Sequence, residues 1–279
     1  MTIPYHQDLD PTSTPDSVYV DLLAALLHDG TRLTTRNSKV SRLFVVPIHF
    51  EIAPLISIRK TAWKSALREM EWFLSGSNDL EDLHPSVRAW WEPWANDQDC
   101  VVNNYSVMFR QAGHLRACDP IEYLIAGTRD HPFSRRNLIT TWDTERMTHK
   151  NTLITNCHGT VIHTFVQPDN SLHLVTYQRS VDTVCGLPHN WIQYWALLLW
   201  LAHRTNKTVG SFTWIGGDVH LYQEHEDLAL SMIELHKFSP PPSPPNLVYT
   251  PTSEEFLASD FSLDGPYNPV LTSPAKMIV

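Results

Sequence analysis

The sequence predicts a single mixed α/β (α+β) domain, on three observations. Helical apolar stripes are interleaved with strand-like runs, no internal repeat occurs, and 279 residues at 42% hydrophobic content suffice for one sizeable core. The opening residues 1–16 hold Pro4, Pro11 and Pro15 among polar and acidic residues and are expected to be irregular, with the folded catalytic domain over 17–279. Residues 17–28 (SVYVDLLAALLH) carry apolar residues at helical spacing and stop at Asp29-Gly30. A loop over 31–41 holds Arg32, Arg36 and Lys39. Residues 43–52 (LFVVPIHFEI) read as a strand whose Pro47 marks an edge or bulge. Residues 60–75 read as a helix striped by Ala66, Met70, Phe73 and Leu74, with Glu69 and Trp72 beside the stripe. Residues 77–101 show no period; Trp90, Trp91 and Trp94 around Pro93 suit a packed loop or a pocket wall. Strands are expected over 137–142, 160–166 and 172–178, the last two joined by a turn at Gln167-Pro168-Asp169-Asn170. A long buried helix over 190–203, a short strand over 211–215, a stiff connector over 240–245 (PPPSPP) and a loop or weak helix over 252–261 complete the chain.

Charge and motifs remove several function classes. With 21 Lys plus Arg against 30 Asp plus Glu the formal charge is -9, which repels phosphate backbones and argues against nucleic acid as the ligand. A small anion held by a few local arginines is compatible. The longest apolar run, 191–202, is interrupted by Gln193, followed by His203 and Arg204, and too short to span a bilayer. No secretion signal is evident, so a cytoplasmic location without a membrane partner is the expectation. Cys100, Cys118, Cys157 and Cys185 form no Cys-x-x-Cys pair, which argues against a structural zinc site or a disulfide framework. His-Glu-x-x-His is absent, and His220 and His225 would not stack on one helical face, so no metal is expected. Neither a dinucleotide fingerprint nor a phosphate loop occurs.

The densest chemistry lies over residues 156–222. Cys157-His158 precedes a strand, where a thiol can be held at a pocket floor and arginines can lower its pKa; taken alone, a cysteine is more often a buried structural residue, and the surrounding residues decide. Tyr177-Gln178-Arg179-Ser180-x-Asp182-x-x-x-Gly186-Leu187-Pro188-x-Asn190 then gathers a guanidinium, a hydroxyl, a carboxylate and an amide in a strand-to-helix turn, and Gly217-Asp218-x-His220-x-Tyr222 adds an imidazole and a phenol.

This pattern resembles the thymidylate synthase family, and the resemblance runs from about Val18 to the C-terminus in matching order. Asp29-Gly30 with Arg36 is similar to the family's N-terminal arginine loop, and Arg68-Glu69-x-x-Trp72-Phe73-Leu74-x-Gly76 to its glutamate-bearing helix. Trp91-Glu92-x-Trp94-Ala95 is similar to its tryptophan loop, Tyr105 to its pocket tyrosine and Ser134-Arg135-Arg136 to its paired arginines. The resemblance implies a bent mixed β-sheet packed against helices, with the sheet backs forming a homodimer. It implies that Cys157 adds to C6 of dUMP, and that C5 then attacks the methylene carbon of the co-substrate 5,10-methylenetetrahydrofolate. Arg36, Arg179 and Ser180 from one subunit, with Arg135 and Arg136 from the other, would hold the 5′-phosphate. Glu69 would organise water and move protons, and Tyr105 would assist removal of the C5 proton. His220 and Tyr222 would bind the sugar 3′-hydroxyl, and Trp91, Asp182, Gly186 and His189 would line the folate site. Asn190 suits uracil, because its amide can donate to O4 and accept from N3–H; in the related phage deoxycytidylate hydroxymethylases an aspartate stands here.

Departures from the family pattern bear on the product. Asn156 stands where a proline is expected, Ser106 where a glycine is, Met108-Phe109 replace Gln-Trp, and His189 replaces a phenylalanine. A polar His189 would admit or orient a water at the exocyclic methylene, which favours hydroxymethylation to 5-hydroxymethyl-dUMP, a dUMP hydroxymethylase such as a virus that modifies its DNA would own in its host's cytoplasm. Trp91 and the apolar tail Lys276-Met277-Ile278-Val279 favour the alternative, reductive methylation to dTMP with release of dihydrofolate. Two other classes explain less: a thiol hydrolase leaves four arginines and Asn190 without a task, and a silent nucleotide-binding homologue has no need of Cys157 with Glu69.

Overall fold

Thr14 starts the first helix, α1 (Pro15–Asp29), by a reciprocal capping box: its hydroxyl accepts from Ser17 N–H at 3.1 Å, and Thr14 N–H donates to the Ser17 hydroxyl at 2.9 Å. The structure, a computed structural model, describes residues 13–111 and 118–278. Most of the stretch 1–16 therefore lies outside the described residues, as does Val279 of the apolar tail. Residues 31–41, expected as a loop, instead form a hairpin of β1 (Thr31–Thr34) and β2 (Lys39–Phe50), with Arg36 in its turn. Thr35 and Ser38 close that turn through a backbone bond of 2.9 Å and a side-chain bond of 2.8 Å, and short polar strands of this kind show no hydrophobic alternation. β1 pairs only with residues 39–42, so β2 is open on one side at Pro47, where a missing N–H is tolerated. Val45 just before it has φ 53°, costly for a β-branched residue, and the inward alternation changes phase there.

After α2 (Trp63–Ser75), closed by left-handed Gly76 at φ 85°, the aperiodic stretch folds as short turns rather than one loop. These are 3₁₀ segments Leu80–Asp82 and Glu92–Trp94 flanking α3 (Pro85–Trp91), the first capped by Asp79 and α3 by His84. The helices α4 (Tyr105–Gln111) and α5 (Pro120–Asp130) follow, then β3 (Leu138–Thr140), α6 (Thr144–Met147), β4 (Val161–Val166), β5 (Ser171–Asp182) and α7 (Leu187–Thr205). The chain continues with β6 (Thr208–Tyr222), the 3₁₀ segment Gln223–His225 and α8 (Glu226–Phe238). β7 (Leu247–Tyr249) and β8 (Phe261–Leu263) form a small separate pair.

The main sheet has the order β1-β2-β6-β5-β4-β3, with β5 and β6 parallel and every other pair antiparallel. This bent mixed sheet packed against helices is the α+β architecture expected from the sequence. Its two central strands run well past their predicted ends. Ser180 pairs with Asp218 and Asp182 with His220, so ladder bonds carry polar and glycine-bearing segments that alternation does not mark as strand. That register brings the Gln-Arg-Ser-x-Asp and Gly-Asp-x-His-x-Tyr segments side by side. One sheet face packs on α7, buried along nearly its whole length, and on α1, while α2 packs on the far side against α7. The other face, which alternates outward, leaves Val45, Leu138, Phe165 and Tyr177 exposed. No helix among the described residues is long and apolar enough to cross a membrane.

Candidate active site

Cys157 lies in the connection before β4, fixed by its backbone. Its N–H donates to Tyr105 Oη at 2.5 Å and its carbonyl accepts from Arg179 N–H at 2.8 Å. Arg179, near the end of β5, turns its guanidinium onto the same loop. Nε donates to Asn156 O at 2.7 Å and Nη2 to Thr155 O at 3.0 Å, and Nη2 also stands 3.3 Å from the Cys157 sulfur. Burial pushes the Cys157 thiol up, while Arg179, the Tyr105 hydroxyl and the charge of Arg36 pull it back. Burial pushes the Tyr222 phenol up, and the charge of Arg36, in the β1–β2 turn, pulls it back.

The residue after the cysteine is a second pin. His158 stacks on Tyr105 at 4.2 Å between ring centroids, and its Nδ1 lies 2.8 Å from Tyr194 Oη. Burial drives the imidazole down to about 3, so it is a neutral positioning group. Gly159 follows at φ 59°, and a Cβ there would meet Tyr194 Oη, so the close approach of Tyr194 requires glycine. Tyr105 is likewise pushed far up by burial and stays a phenol.

Behind this floor, an amide relay joins the sheet to Glu69. Trp214 Nε1 donates to Gln178 Oε1 at 2.8 Å, Gln178 Nε2 to Asn190 Oδ1 at 2.9 Å, Asn190 Nδ2 to Gln193 Oε1 at 3.1 Å and Gln193 Nε2 to Glu69 Oε2 at 2.6 Å. An indole N–H can only donate, so the Trp214 end dictates which way all three amides face and leaves a Gln193 N–H for Glu69 to accept. Asn190 uses one of its two N–H groups and one of its oxygen's two lone pairs. What remains suits a ligand edge that presents an acceptor beside a donor.

Glu69 is a buried carboxyl on the apolar face of α2, with Trp91 Nε1 donating to Oε1 at 2.6 Å. Burial raises it to about 7, against the pull of Trp91 and Gln193. Sequence reasoning named Glu69, Trp91 and Asn190 but missed Gln193, which connects them. Its signal was present as the polar interruption of the apolar run, and a fully buried amide in an apolar helix demands partners.

The remaining expected residues fall into three groups. His220 lies 3.2 Å from Asp218 Oδ1 through Nδ1 and 5.1 Å from the Tyr222 ring, at the end of β6 beside Ser180 and Asp182. Asp182 Oδ1 accepts from Val184 and Cys185 N–H at 2.8 and 3.1 Å, and Gly186 caps α7. Arg135 and Arg136 are exposed ahead of edge strand β3, at the end of the sheet remote from Arg36, and among the described residues no contact joins them to Cys157. The expectation that His189 orients a water fails on its geometry. Nε2 accepts from Ala62 N–H at 3.2 Å and Nδ1 donates to Cys185 O at 2.8 Å, so both nitrogens are engaged by backbone. Burial also takes the ring down to about 4, which keeps it neutral, and Trp90 packs edge-on at 5.5 Å.

Comparison with known proteins gives a consistent result. The thymidylate synthase family profile matches residues 17–279. A thymidylate synthase of Buchnera aphidicola subsp. Baizongia pistaciae (strain Bp) is 33% identical over 214 residues, covering 74% of this chain and 79% of that protein. The solved structure of the thermostable thymidylate synthase A from Bacillus subtilis superposes with a TM-score of 0.81 at 22% identity, covering 95% of this chain and 98% of that one, a likeness of fold.

Proposed function

The chain belongs to the thymidylate synthase family, one-carbon transferases that act on dUMP with 5,10-methylenetetrahydrofolate as co-substrate, and on that premise we propose how its own residues divide the work. The observation that carries the reading is the Cys157 thiol held 3.3 Å from the Arg179 guanidinium, on a floor connected by the amide relay to Glu69. The Cys157 sulfur bonds to C6 of the pyrimidine as its proton leaves, and the C5=C6 electrons move towards O4. Asn190 Nδ2–H donates to O4 and Glu69 supplies the proton there, so C5 can attack the methylene carbon, one of whose two bonds to folate nitrogen breaks as that nitrogen takes up a proton. The Tyr105 phenol relays the C5 proton as the remaining bond from the methylene carbon to folate nitrogen breaks, which frees tetrahydrofolate and leaves an exocyclic methylene at C5; its own acidity is too low for it to act as the free base. Release of the sulfur from C6 restores the C5=C6 bond and the thiol.

Arg36, Arg179 and Ser180 hold the 5′-phosphate from within the chain, and His220 with Tyr222 hold the 3′-hydroxyl. Trp91, Asp182, Gly186 and His189 form the folate wall. Arg135 and Arg136 serve the partner subunit's phosphate in a homodimer built on the exposed sheet face of Val45, Leu138, Phe165 and Tyr177. Their exposure at the edge remote from Arg36 supports that division.

Asn190 selects uracil. The relay leaves it one N–H and one lone pair, which match O4 and N3–H, whereas cytosine presents an amino donor and a bare N3. Reversing the amide would set a Gln178 N–H against the Trp214 N–H. Asn190→Asp is therefore expected to lower kcat/KM for dUMP about 10–100-fold, from roughly 1–3 kcal/mol of unpaired buried groups, and to raise use of dCMP. Steady-state kinetics with both nucleotides checks it.

For the product, hydride transfer to the exocyclic methylene, giving dTMP and dihydrofolate, has the better support. Trp91 is buried and pinned by Glu69, and His189 has no nitrogen free for water. One observation favours hydroxymethylation: Ser106 Oγ, beside Tyr105, is buried without a hydrogen-bond partner, a polar atom suited to a water. Incubation with dUMP and methylenetetrahydrofolate, followed by mass spectrometry of the nucleotide and dihydrofolate absorbance, decides. A nucleotide heavier by CH2 with stoichiometric dihydrofolate is expected, and His189→Phe should leave that product unchanged. One heavier by CH2O without dihydrofolate would establish the dUMP hydroxymethylase.

A further inference from the structure

Three side chains from three separate segments converge beneath the C-terminal tail. Asp182 ends β5, Cys185 lies in the turn into α7, and His225 ends the 3₁₀ segment Gln223–His225. Their ligand-type atoms all lie within 4.8 Å of one another, and His225 Nδ1 is 3.8 Å from Asp182 Oδ1. A tetrahedral zinc would hold such atoms roughly 3.5 Å apart, so a small side-chain contraction suffices.

The tautomer of His225 is fixed by its surroundings. Nε2 lies 2.9 Å from the carbonyl of Lys276, which can only accept, so Nε2 carries the proton and Nδ1 presents a lone pair. His225 is 4% exposed, and this Nδ1 is buried with no hydrogen-bond partner, aimed at a carboxylate. At 3.8 Å from Asp182 Oδ1, this nitrogen and the carboxylate can share one cation. An imidazole oriented by a carbonyl on one nitrogen, with the other directed at acidic groups, is the arrangement that binds metals.

We propose that Asp182, Cys185 and His225 form a binding site for a borderline-soft divalent ion, zinc foremost, with a fourth position open to water. Thiol, imidazole and carboxylate together match that ion's preferences. Binding replaces the Cys185 thiol proton, which is released to solvent, and the two anionic ligands neutralise the dication. Asp182 and Cys185 are three residues apart, but His225 lies 40 residues further on and comes beside them through the parallel β5–β6 register, so sequence spacing does not mark the set. The consequence for turnover rests on the proposed function: a bound ion withdraws Asp182 from the folate wall and ties the tail at Lys276, so the loaded enzyme is inhibited.

The test is a cobalt(II) titration of the full-length protein, read by sulfur-to-cobalt charge-transfer and tetrahedral d–d absorption. Wild type and Cys157→Ala should bind one equivalent with both signals. Cys185→Ala should lose the charge-transfer band and bind more than about 100-fold more weakly, and His225→Gln should also weaken binding. Persistence of the band in Cys185→Ala, its loss in Cys157→Ala, or no tetrahedral signal in wild type would overturn the site. Turnover is assayed separately: zinc should inhibit wild type reversibly with a chelator, while Cys185→Ala keeps its basal activity and resists zinc. Cobalt binding at Cys185 in a protein that does not turn over dUMP even when metal-free would keep the site and sink the proposed function instead.

Discussion

Cys157→Ala is expected to lower kcat by a factor on the order of 10⁵ while dUMP still binds. Removing a covalent nucleophile commonly costs a factor of about 10⁴–10⁶, because no other group can supply the bond whose formation makes the next centre reactive. Here that centre is C5 of the pyrimidine, which becomes a nucleophile only once sulfur is on C6. Binding survives because the groups proposed to hold the nucleotide are anchored without the sulfur. Arg179 keeps its bonds to Asn156 O at 2.7 Å and Thr155 O at 3.0 Å, and Asn190 keeps Gln178 and Gln193. The loop itself is held by backbone contacts to Tyr105 and Arg179 that alanine retains. Calorimetric binding of dUMP together with single-turnover product formation checks both halves. Turnover near the wild-type rate would remove Cys157 from the chemistry; loss of binding as well would make it a structural residue of the loop.

The same site shows where a sequence can be read and where it cannot. α7 and the hairpin at Asn170 are written in local chemistry: a long apolar run with Pro188 in its first turn, and a turn residue at φ 70°. The central strands β5 and β6 are not. Their ends owe their extended form to the partner beside them, and Gly216, Gly217 and the polar residues around Arg179 carry no alternation. The β1–β2 hairpin was missed because its polar residues look like a loop until β6 pairs with β2. Family resemblance placed Cys157, Glu69 and Asn190 in one site, but neither motif nor spacing shows that Gln193 bonds two of them. His189 fails for the opposite reason. Its polarity was visible, whereas the two backbone groups that consume it, Ala62 N–H and Cys185 O, belong to other segments.

Glu69→Gln should cost a factor of about 10²–10³ in kcat and abolish an ionisation step near neutral pH. The wild-type carboxyl is raised to about 7 by burial, so kcat/KM should fall as pH rises through that value and the proton for O4 is lost; the amide variant should be slow and without that step. A pH profile of kcat/KM reads this, and an unchanged step in the variant would assign it elsewhere. Stability supplies an independent check with a fixed sign. Because the folded-state pKa lies above the ordinary 4.5, the native protein binds more protons than the unfolded chain between about 4.5 and 7, and this contribution to stability is lost as pH rises across that window. Wild type should therefore lose about 3 kcal/mol relative to the variant between pH 4.5 and 8, measured by denaturant unfolding of both proteins. Superimposed on this is a pH-independent cost to the variant. Trp91 and Gln193 both donate to residue 69, and a glutamine must turn its own N–H₂ towards one of them. Gln193 cannot rotate to relieve the clash, since its N–H₂ would then face that of Asn190, and so on to Trp214, whose indole has no acceptor to offer. The relay is thus satisfied only with an acceptor at Glu69, and the residue proposed to move protons is also the one that keeps Asn190 facing uracil.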